Sequence, residues 1–247
     1  MALGLLQKMD IPDDRLLATP HMYELIRGGL RDYYEGLRPF IERMLGSDDA
    51  TVCEEGACLA AIAALEHPEA ADLRSQAVAG NESMKLGIAR VAASNVVFPE
   101  HRHWCGQQLI FLFDDESEKV RRAAAQCFRQ LEDEPLGEYE TVISVFCNSR
   151  AYGEDSFSIL HLFENSPHRL PGLTCLVCEK FLSRFGDEAR DIRTSRMGDA
   201  PTVAKLVFRT YNQHQRDEWT KQSLDLIDRL CLESIGEAQK QIAEFER

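Results

Sequence analysis

The sequence lacks several features that would place it in a familiar functional class. No apolar run in its 247 residues approaches the roughly 18 residues of a membrane-spanning helix, so we expect no membrane span. No Gly-x-x-x-x-Gly-Lys-Ser/Thr motif occurs, which excludes a phosphate-binding P-loop in this chain. Residues 1–8 do not form a basic lead before a long apolar core, and we therefore expect no secretory signal.

Positive charge is also scarce. The chain has 28 Lys and Arg against 41 Asp and Glu, a formal charge of −13. Such a surface repels phosphate backbones and anionic membranes, so a nucleic-acid or membrane partner is disfavoured. Residues 180–196 carry the one clear positive bias, which is typical of a solvated helix end and loop. The apolar fraction of 44% nevertheless predicts a folded protein.

Eight cysteines are present, most of them inside apolar helical patterns. Cysteines in such positions are typical of free thiols in a reducing compartment, so we expect a cytoplasmic protein. Cys175 and Cys178 have CxxC spacing, but they lie within an apolar helix and no second pair accompanies them. We interpret them as core residues, because a zinc site or a redox motif needs a different context.

A helix-opening phrase, with a capping residue three positions before an apolar residue, recurs along the chain. It occurs as Asp49-Ala-Thr-Val52, Asn81-Glu-Ser-Met84, Ser117-Glu-Lys-Val120 and Glu154-Asp-Ser-Phe157. The openings are 32, 36 and 37 residues apart. Periods of this size are typical of stacked helical pairs, so the sequence predicts an all-α fold, an α-solenoid of antiparallel helix pairs.

The clearest unit is residues 120–131, for which the apolar positions follow one stripe and predict a helix. Partner helices are predicted at residues 37–45, 70–79, 104–113 and 139–147. Residues 57–65 are apolar on all sides, which predicts a helix enclosed by its neighbours.

These features carry a resemblance to a known family. Residues 114–131, with a turn acid, a Val-Arg pair and an Ala-rich helix, look like the second half of a HEAT repeat. Residues 207–230, Val207-Phe-Arg-Thr-Tyr-Asn-Gln followed by Ser223-Leu-Asp-Leu-Ile-Asp-Arg-Leu, are similar to the tail of large bacterial NTPases of the STAND/NACHT kind. The second resemblance implies the sensor or scaffold portion of a longer protein, of the antiviral defence type.

The domain organisation predicted from these patterns is a single α-solenoid domain over residues 1–247. It begins with an N-terminal helical region (residues 1–36), continues with HEAT-like repeats (37–186) and ends with a C-terminal helical cap (187–247).

Two groups of side chains were weighed for chemistry. His101, His103 and Cys105 gather three possible metal ligands, which His161 or His168 would have to complete. Ligands from one helix turn do not converge without distortion, so we expect neither a metal nor a cofactor. Paired acids such as Asp114 and Asp115 lie in turns, where carboxylates cap helices and stay solvated.

The predicted function is non-catalytic recognition of another protein or domain through the second helices of the pairs. The partner-binding residues predicted are Arg90, Arg122, Gln126 and Arg129, with Arg193 and Arg196 in the 187–200 loop as a second candidate. The alternative is a HEAT-like enzyme of the DNA glycosylase type that would use Trp104, Trp219 and an acid such as Asp114. The net charge opposes that alternative, because a DNA groove is lined by Lys and Arg.

Overall fold

A computed structural model of the chain describes residues 13–187, 199–214 and 218–232, together with residue 243. All regular structure in these ranges is helical, without a β-strand. The predicted all-α fold class is therefore confirmed for the described residues. None of the helices described there combines the length and the apolarity needed to cross a membrane.

The chain divides into two compact units, Met1–Ala124 and Ala125–Arg247. The helices of the first unit are α1 (Pro20–Leu45), α2 (Ala50–Glu66), α3 (Ala71–Val78), α4 (Glu82–Asn95) and α5 (Pro99–Leu112), with α6 (Glu118–Ala125) ending at the boundary. Short 3-10 helices precede α1 at Asp14–Leu16 and α3 at Pro68–Ala70.

Helix α1 is longer than the sequence suggests and is kinked at Tyr33, whose φ of −138° and ψ of 28° are not helical. At the kink, His67 Nε2 lies 2.9 Å from the Leu30 carbonyl oxygen and donates to it. The His67 ring also stacks on Tyr34. The boundary predicted between residues 36 and 37 therefore falls inside one helix, three residues after the kink.

Two predicted helix caps in the first unit are confirmed. The Asp49 carboxylate accepts from the amides of Thr51 and Val52, and the Asn81 side chain accepts from the amide of Met84. The amide of Val52, followed by other donors that include Arg15, lowers the pKa of Asp49 below its ordinary value. The repeated phrase thus marks true helix starts because its polar residues satisfy amides that have no partner within the helix.

Helix α2 lies at the centre of the first unit, where it packs against α1, α3 and α4. Residues 57–61 and 63 are buried, which agrees with the prediction of an enclosed helix. Two glycines allow the close approach. A Cβ on Gly56 would lie 2.7 Å from the Met44 Cβ, and a Cβ on Gly87 would lie 2.4 Å from the Glu54 carbonyl oxygen.

The second unit begins with 3-10 helices at Gln126–Gln130 and Leu136–Tyr139. Its α-helices are α7 (Glu140–Asn148), α8 (Arg150–Glu154), α9 (Ser156–Asn165), α10 (Pro171–Asp187), α11 (Ala200–Gln213) and α12 (Trp219–Leu232). Helix α10 contacts α7, α11 and α12, while α9 contacts α11 and the 126–130 segment.

Two details of the helix predictions are wrong in this part of the chain. The α-helix predicted over residues 120–131 ends at Ala125 and continues as a 3-10 helix, in which Phe128 packs edge-to-face on Phe146. Phe157 does not point into the core: 61% of it is exposed. Asp155, and not Glu154, caps α9, so the core positions shift to residues 159, 160, 162 and 163.

Candidate partner-binding surface

Arg90 lies on α4 and reaches across to α2. Its Nη1 is 2.8 Å from Glu54 Oε1 and 3.1 Å from Glu55 Oε1, and 48% of the side chain is exposed. Burial alone would lower the pKa of Arg90, but nearby anionic groups raise it. The guanidinium therefore links α4 to α2 and also presents one side to solvent.

The other predicted residues lie along α6 and the 3-10 helix after it. Arg122 is exposed and pairs with Glu118 one turn earlier, at 2.6 Å. Arg129 is exposed and Gln126 is half-buried, so the 3-10 winding turns Gln126 partly away from solvent. Arg193 and Arg196 lie outside the described residues.

Arg121, beside the predicted Arg122, has a role that the sequence analysis did not assign. It is only 8% exposed and donates to the backbone carbonyls of Asp115 and Glu116. A buried guanidinium needs such acceptors. Arg121 therefore holds the turn before α6 in place.

Polar contacts connect successive turns of the first unit. Arg15 Nε is 2.9 Å from Asp49 Oδ2, the Cys53 thiol meets Asn81 Oδ1 at 3.8 Å, and Lys85 Nζ is 2.8 Å from Asp115 Oδ2. The paired residues are 34, 28 and 30 positions apart. Each contact thus spans about one repeat of the sequence phrase.

Asp115 is the most enclosed carboxylate among these contacts, with 6% of its side chain exposed. Burial raises its pKa, but hydrogen bonds from Lys85 and from the amide of Ser117 outweigh burial and lower it. Asp115 is therefore an ionised structural link between α4 and the turn before α6.

Contacts of similar sequence separation also join α1, α3 and α5. Arg38 on α1 pairs with Asp72 on α3, and the Arg74 guanidinium on α3 lies 4.8 Å from the ring centre of Trp104 on α5. Trp104, proposed for the enzyme alternative, is thus packed under an arginine.

The CxxC cysteines belong to the core, and the residues of the His101–Cys105 cluster are divided between the core and the surface. Cys175 and Cys178 are buried, and burial raises the pKa of both thiols, which opposes the reactive thiolate form. Cys105 is buried whereas His103 is exposed, where it contacts Gln107. Among the residues that the structure describes, no three His, Cys, Asp or Glu side chains are close enough to hold one metal ion.

The second unit contains a groove that the sequence analysis missed. It is open to solvent, has a volume of about 490 Å³, and lies between α7 and the N-terminal ends of α10 and α12. Its wall includes Trp219, and its edge includes Glu140 and Glu179. The lining residues are up to about eighty positions apart in the chain, so no local sequence motif predicts them.

Comparisons with known proteins give no family for this chain. A scan against protein-family models finds no match, and a search of curated proteins finds no similar sequence.

Proposed function

We propose that this chain is a HEAT-like α-solenoid, located in the cytoplasm, that binds another protein or domain without catalysing a reaction. The observation that carries the proposal is the spacing of the contacts within the first unit. Arg15–Asp49, Lys85–Asp115 and Arg90–Glu54 join residues 34, 30 and 36 positions apart. Regular contacts of this separation are what stacking of consecutive repeats produces.

The helix contacts in the first unit support the same arrangement. The second helices α2 and α4 pack on one another, and the side chains of α1, α3 and α5 meet through Arg38–Asp72 and Arg74–Trp104. These contacts support a two-layered stack, in which first helices would lie beside first helices and second helices beside second helices.

The second unit, taken by itself, shows the same alternation. Helices α7, α10 and α12 contact in succession, and so do the 126–130 segment, α9 and α11. Helices α11 and α12, predicted as a cap, therefore pack as a further pair would. Side-chain contacts again cross one pair: Arg184 donates to the Ser149 carbonyl and Arg229 to the Ser183 hydroxyl.

A stack of this kind presents a row of second helices as an extended surface, which is how solenoids bind partners. We propose Arg90, Arg122, Gln126 and Arg129 as contact residues on these helices. In a chain with a charge of −13, exposed arginines at these positions favour an acidic patch on the partner.

Affinity purification from the native cell tests this proposal. We expect the Arg122→Glu/Arg129→Glu double variant to lose a partner that the wild type retains, with an unchanged melting temperature, since exposed ion pairs contribute only about 0–1 kcal/mol. The control is Arg31→Glu/Lys221→Glu, which makes the same charge change at exposed positions elsewhere. If the test variant keeps every partner that the wild type binds, the surface assignment is wrong.

A DNA-binding titration separates the scaffold from the glycosylase alternative. We expect no binding that weakens steeply with salt, because the described second helices do not form a continuous basic lining. A strong salt dependence, the signature of counterion release, would favour the enzyme instead.

The resemblance of residues 207–230 to NTPase tails extends the proposal to the biological setting. We propose that the scaffold serves as the sensor portion of a bacterial defence-type NTPase system. The residues of this resemblance lie on α11 and α12, which pack against each other and on α10. Recovery of an NTPase domain in the affinity purification, or in the same coding sequence, would support this setting, and neighbours and partners of unrelated function would contradict it.

A further inference from the structure

The groove between α7, α10 and α12 has a chemical character distinct from the arginine-bearing second helices. Its apolar lining comes from Leu170, Pro171, Leu173, Leu176 and Trp219. Leu170 is 39% exposed, so this apolar surface faces solvent and is not closed by other described residues of the unit.

The local sequence explains how this wall forms. Pro171 begins α10, and Gly172 follows it without a side chain. A Cβ at Gly172 would lie 2.8 Å from Trp219 Cη2, so the absence of this atom allows the indole to lie against the start of α10. Trp219 in turn begins α12, and the two helix starts form one continuous apolar surface.

The charges around the groove have one sign. Glu140 at the start of α7 and Glu179 on α10 both line it and are exposed. Among the described residues that line the groove, none is a lysine or an arginine. In the part of the chain that the structure describes, neither carboxylate forms an ion pair. The groove therefore combines an apolar floor with two negative charges that no described residue of its lining neutralises.

We propose that this groove binds a short basic, amphipathic segment of a partner protein. Apolar side chains of the segment would cover Leu170, Leu176 and Trp219, and its Lys or Arg residues would lie near Glu140 and Glu179. Trp219 is half-buried, and a cation beside the accessible part of its indole gains further attraction from the ring face. A volume of about 490 Å³ suits a few side chains of one segment and not a whole domain. This binding site is independent of the second-helix surface proposed above.

Fluorescence of Trp219 provides a direct measurement on the full chain. The chain has two tryptophans, so Trp104→Phe leaves Trp219 as the only one. We expect a synthetic helical peptide of Leu and Lys to shift the Trp219 emission and to saturate at one peptide per chain. A matched peptide of Leu and Glu should leave the emission unchanged.

Two pairs of variants, all made in the Trp104→Phe background, separate specific docking from general attraction. Glu140→Lys/Glu179→Lys should weaken binding of the Lys peptide about tenfold or more, whereas Glu132→Lys/Asp133→Lys, with the same charge change at exposed positions outside the groove, should not. Leu170→Ser should also weaken binding. Its control, Leu224→Ser, alters a leucine that is similarly exposed at 44% and lies outside the groove.

Three results would overturn the proposal. Equal weakening by both charge variants would mean non-specific attraction to an acidic protein. Unchanged binding by Leu170→Ser would mean that the apolar floor takes no part. A change in the sedimentation of the chain alone on Glu140→Lys/Glu179→Lys would identify a second copy of the chain as the occupant. None of these measurements involves Arg90, Arg122 or Arg129. A negative result would therefore contradict the groove proposal alone, and the proposed scaffold function would still be tested by the affinity purification.

Discussion

Small residues are prominent where α2 and α4 of the first unit meet, whereas the core of the second unit is rich in aromatic rings. Most buried residues of α2 are glycine, alanine or cysteine, with Val52 and Leu59 as the larger ones, and Gly87 of α4 lies directly against the α2 backbone. In the second unit the buried core includes Phe128, Tyr139, Phe146, Tyr152, Phe163, Phe181 and Phe208. Small residues permit close backbone approach, as at Gly56 and Gly87, whereas large rings fill more of the core volume per residue.

The two units also differ in the acceptors of their polar contacts. In the first unit, contacts such as Lys85–Asp115 and Arg90–Glu54 join two charged side chains. In the second unit, Arg184 donates to the Ser149 carbonyl and the Tyr152 hydroxyl donates to the Val177 carbonyl, both at 2.8 Å. A backbone acceptor requires no particular residue type. Contacts of this kind are therefore marked by residue type in the sequence of the first unit, whereas a contact to a backbone carbonyl in the second unit is marked only on its donor side.

The largest test of this comparison is removal of a ring from the second unit. Phe146 is fully buried, with its ring centre 4.5 Å from that of Phe128 and 5.8 Å from that of Tyr152. We expect Phe146→Ala to lower the free energy of unfolding by about 3–5 kcal/mol, measured by urea denaturation. Phe157→Ala, at a largely exposed ring in the same unit, should change it by less than about 1 kcal/mol. Similar losses for both variants would contradict the aromatic core.

The corresponding test of the first unit adds a methyl group, whereas the previous test removes a ring. Gly87→Ala places a methyl group against the Glu54 carbonyl, and we expect a loss of about 1–3 kcal/mol from overpacking in thermal unfolding. Gly28→Ala is the control, because nothing lies within 4 Å of its added Cβ. That variant should be neutral or more stable by up to about 1 kcal/mol, as alanine is the better helix former. A stable Gly87→Ala protein would show that α2 and α4 are free to separate.

The charged contacts of the first unit predict a pH dependence. Since the folded-state pKa of Asp115 is lowered, its ionised form stabilises the fold above the unfolded-state pKa of about 3.9, and this stabilisation is lost as the pH falls through the folded-state value. We expect Asp115→Asn to cost about 1–2 kcal/mol at pH 7 and the difference from wild type to shrink below about pH 4. The exposed Asp133→Asn should show neither effect. A difference that persists undiminished at pH 2 would mean that charge is not its cause.

The smallest expected effect concerns the exposed ion pairs. Arg90→Ala removes contacts to Glu54 and Glu55 from a half-exposed guanidinium, and we expect a stability loss below about 1 kcal/mol that decreases as salt is added. Calorimetry at low and high salt measures it. A loss of several kcal/mol would show that Arg90 is mainly a structural contact between α2 and α4 and not part of the candidate binding surface.

Local patterns predicted the helices best where polar caps and apolar stripes agree. The starts of α2 and α4 follow directly from Asp49 and Asn81, since capping depends on residues only a few positions away. The kink of α1 was not predicted, because His67, which holds the Leu30 carbonyl, lies 37 positions along the chain. The exposure of Phe157 was not predicted either. Two adjacent acids, Glu154 and Asp155, precede α9, and only the structure identifies Asp155 as its cap.

The candidate binding surfaces were likewise predicted only in part from the sequence. Arg90 and Arg122 were found as polar residues on apolar helices, but their partners Glu54, Glu55 and Glu118 emerged only from the structure. The groove had no signal in the sequence at all, because α7, α10 and α12 contribute to it from separate stretches of chain.

The sequence alone determined that the chain forms helices, where several of them begin and which faces are apolar, because these properties depend on spacing within one or two turns. Tertiary structure decided which helices touch, how closely they approach at Gly56 and Gly87, and which side chains remain open to a partner. Those outcomes depend on shape and charge brought together from residues thirty or more positions apart.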